Sequence, residues 1–205
     1  MYYGEKLNAV THLVGAVLAL AGAVVLVVLA AWTGDPWKLV SVSIYGATLV
    51  LLYTFSTLYH SLRGRAKNIL RELDHQSIYL LIAGSYTPFC LVTLRGPWGW
   101  SLLGTVWGLA LLGSLQDLRA NHGARILSVV IYVAMGWVVV LAWVPLLRAL
   151  GSPGLAWLAA GGLFYTGGIV FYALDTRLAH AHGVWHLFVI AGSAAHYYAI
   201  LRYVL

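Results

Sequence analysis

Seven times in 205 residues the chain runs for about 18 to 24 residues almost without charge, the length an α-helix needs to cross about 30 Å of hydrocarbon. The runs are Asn8–Ala31, Leu39–Tyr59, Leu73–Leu94, Trp98–Leu115, Ile126–Leu147, Leu155–Leu174 and Gly183–Val204. A transmembrane barrel would show short alternating strands instead, and no alternation is present. The runs consume nearly the whole chain. The reading is therefore one all-α integral membrane domain over 1–205, a seven-transmembrane helix bundle. Composition agrees: 61% of residues are hydrophobic and 9% charged, where a soluble chain carries roughly a quarter charged. This balance excludes a soluble domain, a disordered chain and a nucleic-acid module. The single cysteine, Cys90, can form no internal bridge, so a metal site would be built mainly from histidine and carboxylate.

Loop charges predict the orientation. With the N-terminus inside, Lys6, Arg63, Arg65, Lys67, Arg71, Arg119, Arg125 and Arg177 lie on the cytoplasmic side. Lys38, Arg95, Arg148 and Arg202 lie on the other. Eight against four places the N-terminus in the cytoplasm and the C-terminus outside. Trp32, Trp37, Trp98, Trp100, Trp143 and Trp157 flank the outer loops, where an interfacial belt belongs; packing between helices is the plain alternative. The first run exceeds a signal-peptide core and follows Glu5 rather than a basic flank, so it is expected to persist as a helix. The expected location is the cell (inner) membrane, as a multi-pass protein.

An ionisable group within a membrane span marks a functional site by default. Glu5 and His12 open the first helix, His60 closes the second, Asp74 and His75 open the third, and His182 and His186 open the seventh. Connectivity brings all of them to one depth on the cytoplasmic side. In His182-Gly-Val-Trp-His186 the imidazoles are one turn apart on one face and can reach one ion; interfacial histidines bonded to loop carbonyls are the alternative. His60 offers a third nitrogen, and three histidines with an open fourth position form the pattern of a catalytic zinc site. Asp74 and Glu5 are candidates for handling a water there. Ser56, one turn before His60, either supports that site or bonds its own helix carbonyl, as membrane serines commonly do. Glu5, Asn8 and His12 share a face and either hold helix one against the site or, for Glu5 and Asn8, cap the helix.

The remaining polar groups read differently. His75 points about 100° away from Asp74 and is expected at the interface. His122 and His180 are expected in solvent. His196 lies about 15 Å beyond His186 and is expected as a buried hydrogen-bonding histidine. Asp175 is expected to make a loop contact or pair with Arg177, and Pro88 to bend helix three.

Glu5-Lys6-Leu7-Asn8-Ala9-Val10-Thr11-His12 resembles the ExxNxxTH signature of the hemolysin III proteins, relatives of the progestin and adipoQ receptors. The SxxxH at Ser56–His60, Leu73-Asp74, the Gly84–Pro88 segment and the HxxxH of helix seven with Leu187-Phe188-Val189 resemble the same family, from Glu5 to the end. The resemblance implies a seven-helix bundle, N-terminus inside, with zinc in the inner leaflet. His60, His182 and His186 would be the ligands, Asp74 would contact the water on the zinc, and Ser56 would support them. Adiponectin receptors in this superfamily are linked to ceramide hydrolysis, and alkaline ceramidases share the motif set. The chain lacks the receptors' long N-terminal extension, so a hormone-receptor role is not transferred.

Three functions are compared. The first is a zinc-dependent hydrolase of a lipid amide or ester, ceramidase-like, with Asp74 and Ser56 in the catalytic set and zinc polarising the carbonyl. The second is a non-enzymatic, zinc-stabilised regulator of membrane lipid homeostasis or energetics, with closed four-ligand coordination. The third, a hemolysin-like pore, ranks last because no polar stripe continues across the bilayer apart from His196 and scattered tyrosines. Membrane lipids are the expected partners, and nucleic acid is not. A retinal protein is excluded because no lysine follows Lys67, and a G-protein-coupled receptor would place its N-terminus outside. An inverted-repeat transporter would need paired broken helices.

Overall fold

The computed structural model describes residues 4–119 and 125–205. Among them every regular element is helical. These are α1 (Lys6–Thr33), α2 (Pro36–Ser61), α3 (Arg65–Pro88), α4 (Pro97–Arg119), α5 (Arg125–Trp137), α6 (Trp143–Ala173) and α7 (Ala181–Tyr203). A π-helical turn, Phe89–Thr93, extends α3, and a 3-10 segment, Val138–Ala142, links α5 to α6.

The helices begin and end where local chemistry dictates. Asp35 accepts the Trp37 amide at 2.8 Å and Pro36 starts α2, a pairing that satisfies an orphan donor and pre-sets φ. Gly34, at φ 70°, ends α1 in the left-handed conformation. At Pro88 the α-helix gives way to the π-turn; proline lacks the amide that would continue the ladder, and the wider turn absorbs the mismatch. The expected disturbance in helix three is thus a change of helix type. Helix α3 also starts eight residues before the expected Leu73, because Arg65–Glu72 continue the helix beneath the apolar run. Hydropathy measures the apolar stretch, and a helix does not stop at the edge of it.

Five helical stretches among the described residues are long and apolar enough to cross a membrane, and the protein is a multi-pass integral membrane protein. One of them, Ile126–Ala173, covers 48 residues, about 72 Å of helix, more than twice the hydrocarbon thickness. It is not a single rod: Gly151, at φ 67° and ψ 173°, breaks the helical path, and Pro153 follows in the next turn. The polar first turns of α3 keep that helix out of the five.

Apolar side chains face outward as well as inward. Val14, Val17, Leu18, Leu20 and Val24 of α1 are exposed, while Leu26 and Ala30 are buried against the bundle. In lipid an apolar exterior carries no penalty, and internal polar groups must be satisfied within the protein. Thr48 donates to the Tyr45 carbonyl, Thr57 to that of Tyr53 and Ser77 to that of Asp74. Ser193 ties three helices together, with the hydroxyls of Tyr53 and Tyr165 each 2.8 Å from its Oγ. Five of the six tryptophans expected in a belt (Trp32, Trp98, Trp100, Trp143 and Trp157) are exposed; Trp37 is part-buried, under Arg95 and beside Trp100.

Candidate metal centre

The start of α1, the end of α2 and the starts of α3 and α7 meet around a cavity of about 690 Å³. His60, His182 and His186 line it, and one nitrogen from each lies within 4.8 Å of the others. His60 and His186 are buried, and His182 is about one-quarter exposed. The ring centroids are 4.7 to 5.1 Å apart. The spacing read from the sequence is therefore realised in space. Tetrahedral coordination at ~2.05 Å would bring the nitrogens to roughly 3.3 Å apart, closer than the 4.8 Å within which they lie.

Each imidazole is held from behind through Nδ1. That of His60 is 2.6 Å from the Glu5 carboxylate, and that of His182 is 3.1 Å from Asp175 Oδ2. His186 Nδ1 is 3.1 Å from the Asn8 carbonyl and 3.1 Å from Thr11 Oγ1. The Thr11 hydroxyl spends its own proton on the Leu7 and Asn8 carbonyls, so toward His186 it can only accept. Carboxylates, a carbonyl and this oxygen all accept, which fixes the proton of each ring on Nδ1 and leaves Nε2 as a lone pair. The Nε2 of His60 is buried with no hydrogen-bond partner. Three imidazoles gathered within reach of one ion, the Nε2 of one of them orphaned, fit a borderline-soft cation such as zinc.

Glu5 is the anchor on the α1 side. It accepts from Asn8 Nδ2 at 2.9 Å and pairs with Lys67 at 3.4 Å as well as with His60. Burial alone would push its carboxyl up, but the bonds from Asn8 and His60 and the neighbouring His60 and Lys67 charges outweigh that and hold it below the usual range. Its side chain makes no N-cap bond, so the contact with the site is what this residue supplies. His12 stacks on His186 with centroids 3.5 Å apart and planes 11° apart. Helix one thus braces the site, and a close approach makes it possible: a Cβ on Gly183 would sit 2.5 Å from Leu7.

Asp74 and Ser56 line the same cavity, with the Ser56 hydroxyl near the Asp74 carboxylate. Ser56 is buried. Asp175 makes its contact with His182 through the loop before α7 and does not join the three-histidine cluster. His75 faces the cavity rather than lying only at an interface, and its carbonyl accepts from Tyr132 at 3.3 Å. His180 is exposed as expected, and His122 lies outside the described residues. His196 bonds the Leu158 carbonyl at 3.1 Å, away from the three-histidine cluster.

A polytopic helical bundle carrying a polar, histidine-lined cavity at one end is the class of protein that these features define. The sequence matches the haemolysin-III related family over residues 2–197. It is 41% identical to Hemolysin-3 of Bacillus cereus, covering 98% of this chain and 92% of that protein. It is 40% identical to the Hemolysin-3 homolog of Bacillus subtilis, covering 97% and 93% respectively. The human monocyte to macrophage differentiation factor is 31% identical over 98% of this chain and 84% of its own length. The chain belongs to the haemolysin-III related family.

Proposed function

We propose that this protein is a zinc-dependent hydrolase of a lipid amide or ester, with seven membrane crossings, the N-terminus in the cytoplasm and the site in the inner leaflet. One observation carries the reading: three imidazoles, each with Nδ1 against an acceptor, bring one nitrogen apiece to within 4.8 Å of one another in a cavity that Asp74 and Ser56 also line. Zinc held by His60, His182 and His186 would supply Lewis acidity and a water activated near neutral pH.

The chain's own residues account for the rest. Asp74 lies where it can accept a proton from water and return it to the leaving amine or alkoxide. The Ser56 hydroxyl orients that carboxylate, so only part of its lone-pair capacity remains for the water. Two apolar cavities continue from the polar one. The first shares Leu52, Ile78, Tyr132, Trp185 and Val189 with it, and the second shares Ser85, Tyr86, Trp137 and His196 with the first. A polar chamber opening into an apolar channel favours a substrate with a polar head and a long chain. Apolar walls also argue against a hydrated pore.

Purified protein in nanodiscs, assayed against long-chain lipid amides and esters with bound metal quantified, tests the proposal. Hydrolysis is expected in the wild type and lost in His182→Ala and Asp74→Asn, with membrane insertion retained. Turnover at the wild-type level in either variant would falsify it. Full zinc occupancy with no turnover of any lipid tested would favour a metal that only staples α2 to α7.

A further inference from the structure

His196 is the polar group that the metal centre leaves unused. Its Nε2 is 3.1 Å from the Leu158 carbonyl, which accepts, so the proton sits on Nε2 and Nδ1 carries a lone pair. That Nδ1 is buried with no hydrogen-bond partner. Gly161 packs against the Cδ2–Nε2 edge, where a Cβ would come within 2.1 Å, so the Nδ1 edge is the one turned away from α6. The ring lines both apolar cavities, of about 100 and 50 Å³. A buried acceptor without a donor is costly, and the hydroxyls of Ser85, Tyr86 and Thr166 in these walls already donate to backbone carbonyls, so a water, which needs two to four polar partners, finds few here. A hydroxyl on an otherwise apolar molecule needs only one.

We infer that His196 Nδ1 is the acceptor for a hydroxyl carried partway along a lipid chain in the two apolar cavities. The placement rests on the reading that the lipid carbonyl sits at the three-histidine centre. His196 follows His186 by ten residues, about 15 Å of helix. A zigzag alkyl chain advances somewhat less than the ~1.5 Å of its carbon–carbon bond, which puts the hydroxyl about twelve carbons from the carbonyl. The class of ligand is therefore a mid-chain hydroxylated acyl lipid. Tyr165, its ring 5.5 Å from that of His196, is already hydrogen-bonded with Ser193 Oγ at 2.8 Å and leaves Nδ1 to the ligand.

The test compares three fatty acids on purified protein in nanodiscs: stearic acid, the same acid hydroxylated about twelve carbons from the carboxylate, and the same acid hydroxylated beside it. The mid-chain hydroxyl is expected to tighten binding about tenfold over stearic acid. The preference should vanish in His196→Leu and survive in His196→Gln, whose amide can both donate to Leu158 and accept. Each variant is judged by its own ratio of affinities, so a general loss of stability does not imitate the result. No preference in the wild type, a preference that persists in His196→Leu, or an equal gain from the hydroxyl beside the carboxylate would overturn the inference. Hydrolysis of the corresponding amides is followed separately. Intact chain preference without hydrolysis refutes the enzymatic reading and leaves the hydroxyl site standing.

Discussion

The Glu5–His60 contact gives the sharpest quantitative test of the metal centre. A hydrogen bond to an ionised group contributes about 1.5–3 kcal/mol, and a charged bond is roughly twice as strong as a neutral one. At 2.6 Å the Glu5 contact belongs to the strong class. Glu5→Gln keeps an acceptor for Nδ1–H but removes the charge, so about half the contribution is lost, a three- to tenfold fall in zinc affinity. Glu5→Ala removes the acceptor and leaves a buried N–H unpaired, a fall of about 10–100-fold, the range seen when a partner behind a metal-binding histidine is removed. Asp175→Asn should cost less than Glu5→Ala, about threefold, because its bond is 3.1 Å long and His182 is accessible to replacement water. The measurement is competition for zinc with a chelator of known affinity, on purified protein. The order expected is wild type, then Asp175→Asn and Glu5→Gln, then Glu5→Ala, then His60→Ala. If Glu5→Ala binds zinc as tightly as wild type, the Nδ1 contacts do not orient ligands and the assignment of Nε2 as the free nitrogen fails. If Glu5→Gln is as damaged as His60→Ala, Glu5 is itself a ligand.

Three further outcomes separate binding from chemistry and chemistry from packing. Ser56→Ala, which frees the Asp74 carboxylate, should lower kcat about tenfold while zinc affinity stays within twofold; a parallel loss of both would place Ser56 in the metal's support instead. His12→Phe keeps a ring against His186 and should preserve zinc affinity within about threefold, whereas His12→Ala leaves a void there and should lower thermal stability by roughly 2 kcal/mol in a detergent melt. Gly84→Ala would drive a Cβ to 2.1 Å from Thr48 Oγ1 and 3.0 Å from its Cβ, forcing α2 from α3. A loss of about 1–3 kcal/mol is expected, read by the same melt, and an unchanged melting temperature would show that the two helices are loosely packed there.

Much of the bundle can be read from the chain because one signal, the apolar run, is both strong and local. Its edges are where reading fails. Arg65–Glu72 extend α3 by two turns because i→i+4 hydrogen bonding continues through charged residues as readily as through apolar ones. Conversely, Ile126–Ala173 is helical almost throughout, and its division depends on Gly151, a single residue in a non-helical conformation. Hydropathy averages over such a point, whereas backbone geometry registers it directly.

The metal centre divides along the same line, but the dividing factor is distance in sequence. His182 and His186 are one helical turn apart, so their common face follows from 3.6 residues per turn. His60 joins them through the depth argument, which needs only the alternation of helix directions. The groups behind the ligands obey no such rule. Asp175 reaches His182 across the turn before α7, and that reach depends on the path of residues 174–180, which helical spacing does not specify. Glu5 is 55 positions from His60, and nothing in either helix alone says that the two side chains meet. What selects these partners is the proton on Nδ1: a ring that presents Nε2 to a cation must place its other nitrogen against an acceptor, and the acceptors available in an apolar bundle are few. The chain has six acidic residues in all, and two of them, Glu5 and Asp175, stand behind the histidines. Scarcity of charge therefore does more than mark the site. It leaves the buried His60 so few candidate partners that removing Glu5 has no ready substitute, which is why the Glu5 series is expected to resolve the roles that spacing alone leaves open.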